Sequence, residues 1–327
     1  MIERCYLVRS DSVNPYYNLS LEDYLFHHIP EDSLILFLCR NQNTVLIGRS
    51  QNAYKECCLN AMEQDHCYLA RRSSGGGAVY QDTGCLNFSF LTYMDSYDIR
   101  RQLRTVTAAL AQFDLDAQAS GRNDILIHGR KVSGSAYLTE KEHCLHHGTI
   151  LWNTDKQKMQ RYLNVSRDKI EAKGFDSVVS RVADLTDFDP SIGDGEVIQA
   201  LINSVADQYG PLSDLAVDAD LSPQLEHYHS YNFIYNTLNE YTIIVHDYYS
   251  FGEAQLYVDL KQDRVTHVDV FTDALDVDLQ QQIEGLFTGL RINDASFAQR
   301  LFTRFGPDWH EDMARIYLAI KRYCFPG

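Results

Sequence analysis

The sequence predicts an α+β fold in two parts, on three observations. Short apolar runs of strand length mix irregularly with amphipathic helical stretches through the first 240 residues. Beyond residue 242, successive near-alternating strands are followed by helices, without the alternation of a parallel βαβ sheet. Finally, 327 residues that are 45% hydrophobic and 12% aromatic can bury a substantial core, which argues against disorder. The expected domains are residues 1–240 and 241–327.

Taken in order, SLEDYLFHHI (20–29) reads as a helix with Ser20 as N-cap and Asp23 three residues on. SLILFLCR and NTVLIGR, within 33–49, read as buried strands around an Asn-Gln-Asn turn. Apolar residues at 103, 106, 110 and 113 give a helix across RQLRTVTAALAQF. DILIHGRKVSGSAYL (124–138) reads as two strands joined at His128-Gly129-Arg130. VIQALINSVADQYG (197–210) is an amphipathic helix closed by Gly210. In the last part, strands run from YTIIVHDYYS to VTHVDVF, and helices follow at roughly 276–288, 294–303 and 309–323.

Charge and cysteine usage narrow the function classes. The net charge of −16 is uneven: residues 1–185 carry 21 Lys+Arg against 22 Asp+Glu, whereas residues 186–327 carry 8 against 23. An acidic second half disfavours nucleic acid, whose phosphates need clustered Lys and Arg, and places anionic ligands in the first half. The opening MIERCYLVRS mixes charges and lacks a long apolar core, and LILFLC (34–39) is too short to span a bilayer, so a cytoplasmic protein without a membrane span is expected. The eight cysteines contain no C-x-x-C pair and read mostly as small buried hydrophobes. His227 and His229, and the adjacent His146 and His147, make only a weak case for zinc.

Two constellations could carry chemistry. In RRSSGGGAVYQDTG (71–84), Gly75-Gly76-Gly77 lets backbone N–H groups approach an anion, and Arg71-Arg72 supplies fixed positive charge. The loop fits neither G-x-G-x-x-G nor a Walker A motif, and a triple glycine alone is equally a hairpin turn. In GRNDILIHGRKVSGSAY (121–137), Lys131 stands among Val132, Ser133, Gly134 and Ser135, small residues that leave room beside an ammonium. A solvated lysine on a hairpin is the plainer reading of that stretch by itself.

Together with HHGTILWNTD and KGFDSVVSRVADL, these stretches closely resemble the lipoate–protein ligase A family, in its R-R-x-S-G-G-G, N-D…G-R-K-[IV]-S-G-S-A, H-H-G-T-L-L and K-G-x-x-S-V-x-S-R-V motifs. The order and spacing agree over nearly all of residues 1–190, and the C-terminal 80 or so residues resemble the family's accessory domain more loosely. The resemblance implies a large domain of the biotin/lipoate ligase (class II synthetase-like) type, a mostly antiparallel sheet flanked by helices. It also implies a two-step reaction: lipoate and MgATP form lipoyl-AMP and pyrophosphate, and the lipoyl group then passes to a lysine of an E2 subunit or the glycine-cleavage H protein. It further implies a monomer. By position it makes Lys131 the catalytic group between carboxylate and α-phosphate. Arg72, Gly75, Gly76, Gly77, Ala78, Val79, Tyr80, Asn123 and Asp124 become nucleotide or adenylate contacts, with Asp124 either near Mg2+ or a structural cap. Ser74, Lys131 and His147 border lipoate.

The chain departs from that pattern in two places. Gln81 replaces the family's usual histidine, and HYHSYNFIYN replaces W-x-Y-G-x-x-P-x-F near the domain junction. Rival readings are a lipoyl or octanoyl transferase fed by a preformed adenylate or acyl-protein, with Cys85 or Cys144 as nucleophile, and a non-catalytic binder of the adenylate. Biotin as substrate is disfavoured because R-R-x-S-G-G-G stands where biotin ligases typically carry G-R-G-R.

Overall fold

The computed structural model describes residues 2–121, 123–164, 182–235, 242–261, 264–292 and 296–324. The chain forms two compact units, one of Met1–Ile47, Ala53–Arg72 and Ala78–Ile234, the other of Gly48–Asn52, Ser73–Gly77 and Tyr235–Gly327.

In the first unit the order is β1 (Arg4–Arg9), α1 (Pro15–His27), β2 (Ser33–Cys39), β3 (Thr44–Ile47), α2 (Ala53–Glu56), α3 (Leu59–Gln64), β4 (Tyr68–Arg71), β5 (Val79–Gln81) and β6 (Cys85–Tyr93). Then come α4 (Ile99–Ala111), β7 (Ala117–Ser120), β8 (Asp124–Ile127), β9 (Arg130–Glu140), β10 (His143–Leu151), α5 (Lys156–Tyr162), α6 (Asp194–Tyr209), β11 (Leu212–Asp214), α7 (Ser222–His229) and α8 (Tyr231–Tyr235).

The main sheet runs β11-β1-β2-β6-β10-β9-β8-β7. Among the described strands of this sheet, β1 pairs in parallel with both of its neighbours and the other strand pairings are antiparallel, as expected. Every residue of β2 is buried, which explains its unbroken apolar run: a strand covered on both faces has no polar side to alternate with. The core joins Leu34, Leu36, Phe88, Phe90 and Ile150 of the sheet to Val106 and Leu110 of α4 and Leu201 and Val205 of α6. A smaller sheet, β4-β3-β5, takes the second of the two neighbouring apolar runs, so β2 and β3 belong to different sheets.

The first helix begins at Pro15, not after Ser20: the Asn14 side chain accepts from the N–H groups of Tyr16 and Tyr17, and proline suits the first helical turn. Ser20 lies inside the helix, buried, its hydroxyl donating to the Tyr16 carbonyl at 2.7 Å.

The second unit has an antiparallel sheet of β12 (Ile243–Tyr249), β13 (Gly252–Lys261) and β14 (Arg264–Thr272), followed by α9 (Leu279–Phe287), α10 (Ser296–Arg304) and α11 (His310–Cys324). Leu256, Val258 and Val270 pack there on Ile283, Leu286, Met313 and Ile316. Among the described residues, no helix is long and apolar enough to cross a membrane.

Candidate active site

The β8–β9 hairpin builds the lysine centre. His128 and Gly129 take φ of 49° and 77°, the pair of left-handed residues that a two-residue hairpin turn requires. Just beyond the turn the register slips: Leu126 pairs with Lys131, but Ile125 pairs with Ser133, leaving Val132 as an extra residue. Such a bulge re-aims side chains. Val132 enters the core beside Ile125 and Ile127, and Lys131 turns to the face that carries Asp124 and Gly134. Its Nζ lies 2.7 Å from Asp124 Oδ1, both side chains being about one-third exposed. A Cβ at residue 134 would stand 2.8 Å from that Nζ, so the glycine is the floor under the ammonium. Asn123 braces the open end of the hairpin, beside the Asp124–Gly134 pair: its side chain donates to the Ser135 carbonyl at 2.9 Å, and the Ser135 N–H donates to the Asn123 carbonyl at 2.8 Å.

The register carries this face across to β10. Gly134 pairs with Thr149 and Ala136 with His147. Directly opposed residues of an antiparallel pair share a face, so Lys131's ammonium and His147 lie on one face of the sheet, one same-side row apart, about 7 Å.

His147 sits in a buried polar cluster. Its Nδ1 is 3.0 and 3.1 Å from the two oxygens of Glu22 on α1, and the Ser89 hydroxyl on β6 donates to Glu22 at 2.5 Å. Burial works to raise the Glu22 carboxyl. The charge and hydrogen bond of His147, the Ser89 hydroxyl and the charge of Arg72 outweigh it and hold the carboxyl below its ordinary range. Arg72 is 5% exposed; burial brings its guanidinium down to about 10, opposed by Glu22, and its Nη1 donates to the Leu46 carbonyl at 3.1 Å. Arg71 does something else: it donates to the carbonyls of Phe233 and Ile234, at 2.7 and 2.6 Å, which fastens α8 to the end of β4.

The glycine loop belongs to the second unit. The Gly76 N–H donates to the Ala274 carbonyl at 2.9 Å, and Gly76 takes φ of 92°. A Cβ at residue 75 would lie 2.3 Å from the Ala274 oxygen, so glycine there answers to backbone packing as well as to any ligand. Ser74 is fully buried, and its carbonyl accepts from the Arg49 N–H. In the first unit, Ala78 and Val79 are half-buried, while Tyr80 is buried and donates to Asn43 at 3.2 Å.

Gln81 is buried, and its carbonyl oxygen accepts from Asn41 at 2.7 Å in a neutral amide network that includes Asn18. Cys85 and Cys144 are fully buried, and burial raises both thiols, so neither is a poised thiolate. His146 is buried and held neutral, its pKa down to about 3 through burial, with Nδ1 3.0 Å from Gln102. Among the described residues, no group of three His, Cys, Asp or Glu side chains is placed to hold a metal. Most of KGFDSVVSRVADL falls on 165–181, outside the described residues.

Sequence reasoning missed Glu22 and Ser89, whereas Gly134 does what its place among small residues beside Lys131 suggested. Glu22 is one of two adjacent acidic residues in the first helix, and its partners lie 67 and 125 residues away.

Residues 14–206 match the lipoyl protein ligase A/B catalytic domain family, and residues 239–305 match the bacterial lipoate protein ligase C-terminus. The chain is 35% identical to the lipoate-protein ligase A of Bdellovibrio bacteriovorus over 86% of each chain. It is 38% identical to that of Psychrobacter cryohalolentis over 84% of each. Among solved structures, P. falciparum LipL1 in complex with lipoate shares the fold at a TM-score of 0.84, over 97% of this chain and 99% of that one, at 23% identity. The bipartite lipoate protein ligase of Thermoplasma acidophilum, solved with its E2 lipoyl domain, aligns at 0.64 and 28% identity, over 74% of this chain and all of that one. A lipoate-protein ligase A bound with ATP aligns at 0.63 and 27% identity, over 73% and 100%.

Proposed function

Because the chain belongs to the lipoate–protein ligase A family, with both catalytic and C-terminal domains matched, we propose that it is an ATP-dependent lipoate–protein ligase built around Lys131. The relatives solved with ATP and with an E2 lipoyl domain support ATP as co-substrate and lipoyl-domain proteins as acceptors. E2 subunits and the glycine-cleavage H protein are the acceptors we propose, and the enzyme works as a cytoplasmic monomer. The division at 1–240 and 241–327 separates catalytic from accessory function.

In the first step a lipoate carboxylate oxygen attacks the α-phosphorus of MgATP, and pyrophosphate leaves with the electrons of the broken P–O bond. In the second, an acceptor lysine amine attacks the acyl carbonyl, AMP departs, and the amine's proton is lost. The obstacle to the first step is repulsion between two anions. Lys131 offers a cation about one-third exposed and already positioned by Asp124 over a floor with no side chain. This is the observation that carries the proposal. A donor fixed at developing charge contributes about 3–4 kcal/mol, roughly 10²–10³ in rate. No nucleophilic side chain is needed, since positioning and electrostatics suffice.

Arg72, Gly75, Gly76, Gly77, Ala78, Val79, Tyr80, Asn123 and Asp124 are the proposed nucleotide and adenylate contacts, and Ser74 and His147 join Lys131 in bordering lipoate. Mg2+ arrives with ATP. It is usually held by one or two carboxylates plus substrate phosphates, so Asp124 fits as a protein contribution. The transferase reading has no observation in its favour.

The test is lipoate-dependent pyrophosphate release from MgATP by the wild type and by Lys131→Ala. Release that falls by about 10²–10³ in the variant supports the proposal. An active wild type with an equally active variant removes Lys131 from the mechanism, and an inactive wild type with a native melting profile refutes the ligase reading.

A further inference from the structure

Three side chains from three elements meet at Glu22. The carboxylate lies on α1, which packs over β6 and β10; Ser89 comes from β6 and His147 from β10, and those two are register partners. The side chains of Glu22 and His147 are each only 13% exposed. A buried carboxylate needs donors on its oxygens to remain in place. Here Oε1 receives the Ser89 hydroxyl and His147 Nδ1, and Oε2 lies 3.1 Å from the same Nδ1. An ionised carboxylate can only accept, so Nδ1 must carry a proton.

From this geometry we infer that Glu22 is a positioning residue for the acyl-binding part of the site: it fixes the ring angle and tautomer of His147. The inference rests on the reading that His147 borders lipoate. The sheet register supplies the direction. A carboxylate held at Lys131 and running along the strand face toward Ala136 brings its acyl chain over His147 about 7 Å away. The Glu22 carboxylate also faces the buried charge of Arg72. Arg72 also donates to the Leu46 carbonyl, a hold on its guanidinium that does not depend on Glu22.

The experiment uses full-length protein labelled with 15N-histidine, in wild-type, Glu22→Gln and Glu22→Leu forms. Glutamine keeps the shape and one acceptor oxygen; leucine removes both acceptors. In the wild type, the His147 resonances should report a proton on Nδ1. In E22L that signature should be lost, and the KM for lipoate should rise about tenfold to a hundredfold, the loss of one hydrogen bond to a charged group. The KM for ATP should change much less, and E22Q should fall between the other two in both readouts.

A His147 signature and lipoate KM unchanged in E22L would overturn the inference. So would equal rises in both KM values with a lowered melting temperature, because they would make Glu22 a purely structural residue. Should the wild type release no pyrophosphate with lipoate, the ligase reading fails. The spectra then still decide whether Glu22 sets the tautomer: an Nδ1-protonated ring in the wild type that is lost in E22L sustains that part, and any other pattern overturns it.

Discussion

Replacing Gly134 with alanine should disable adenylation while leaving the protein folded. The new methyl would stand 2.8 Å from Lys131 Nζ and 2.9 Å from its Cε. Relaxed contacts between such atoms begin near 3.5 Å, so the ammonium must retreat by about 0.7 Å. The side chain can do this because its far end is mobile and the strand backbone is not, so the displacement falls on the Nζ–Asp124 contact of 2.7 Å. A misplacement of about 1 Å in a positioned reacting group can cost about 10²-fold in rate. The variant should therefore lose tens of fold to about a hundredfold in lipoate-dependent pyrophosphate release. Its melting temperature should stay near the wild type's, since alanine replaces glycine within a strand at no strained φ. Burst measurements of the first turnover would separate adenylation from transfer. A G134A protein with wild-type release would refute the reasoning, because Lys131 would then be free to work from a different position. A protein that failed to fold would refute it as well.

Gly75→Ala should destabilise the second unit by about 1–3 kcal/mol, because the obstructing atoms, the Ala274 and Leu275 carbonyl oxygens at 2.3 and 2.7 Å, are backbone and cannot swing aside; hydrogen exchange localised to that unit would check this. Cys85→Ala and Cys144→Ala should retain lipoyl transfer to a lipoyl domain and lose only about 1–2 kcal/mol of stability, since both thiols are buried; abolished transfer in a folded variant would revive a cysteine nucleophile. For Asp187, burial works to raise the carboxyl, but Lys156, the Asp184 N–H and Arg130 outweigh it and hold it below the ordinary carboxylate range. A lowered folded-state value stabilises above the unfolded value of about 3.9 and is lost as pH falls through the folded value. Asp187→Asn should accordingly cost about 1 kcal/mol at neutral pH, and the gap in urea melts should close in strong acid; a gap that persists there would assign the effect to something other than charge.

The sequence by itself determined most of the elements, because hydrophobic period and turn chemistry are local. The unbroken SLILFLC run, the His128-Gly129 turn and the 3.6-residue stripe ending at Gly210 were all legible, and so was the lysine among small neighbours. Where two local signals competed at the first helix, Asn14-Pro15 prevailed over Ser20, since a cap that satisfies two N–H groups with a proline behind it is the stronger start.

Only the tertiary structure decided what the side chains do. The bulge that turns Lys131 toward Asp124 and Gly134 is a mismatch between two strands, which neither strand shows alone. Arg71 and Arg72 are adjacent in sequence, yet one fastens α8 and the other faces Glu22, because neighbours in an extended chain point in opposite directions. The triple glycine by itself fits an anion cradle and a hairpin turn equally, and only the folded chain shows that the Ala274 carbonyl accepts from Gly76. Glu22 carried no signal at all: a buried carboxylate is recognisable only from the donors that fold around it, and those come from strands far along the chain.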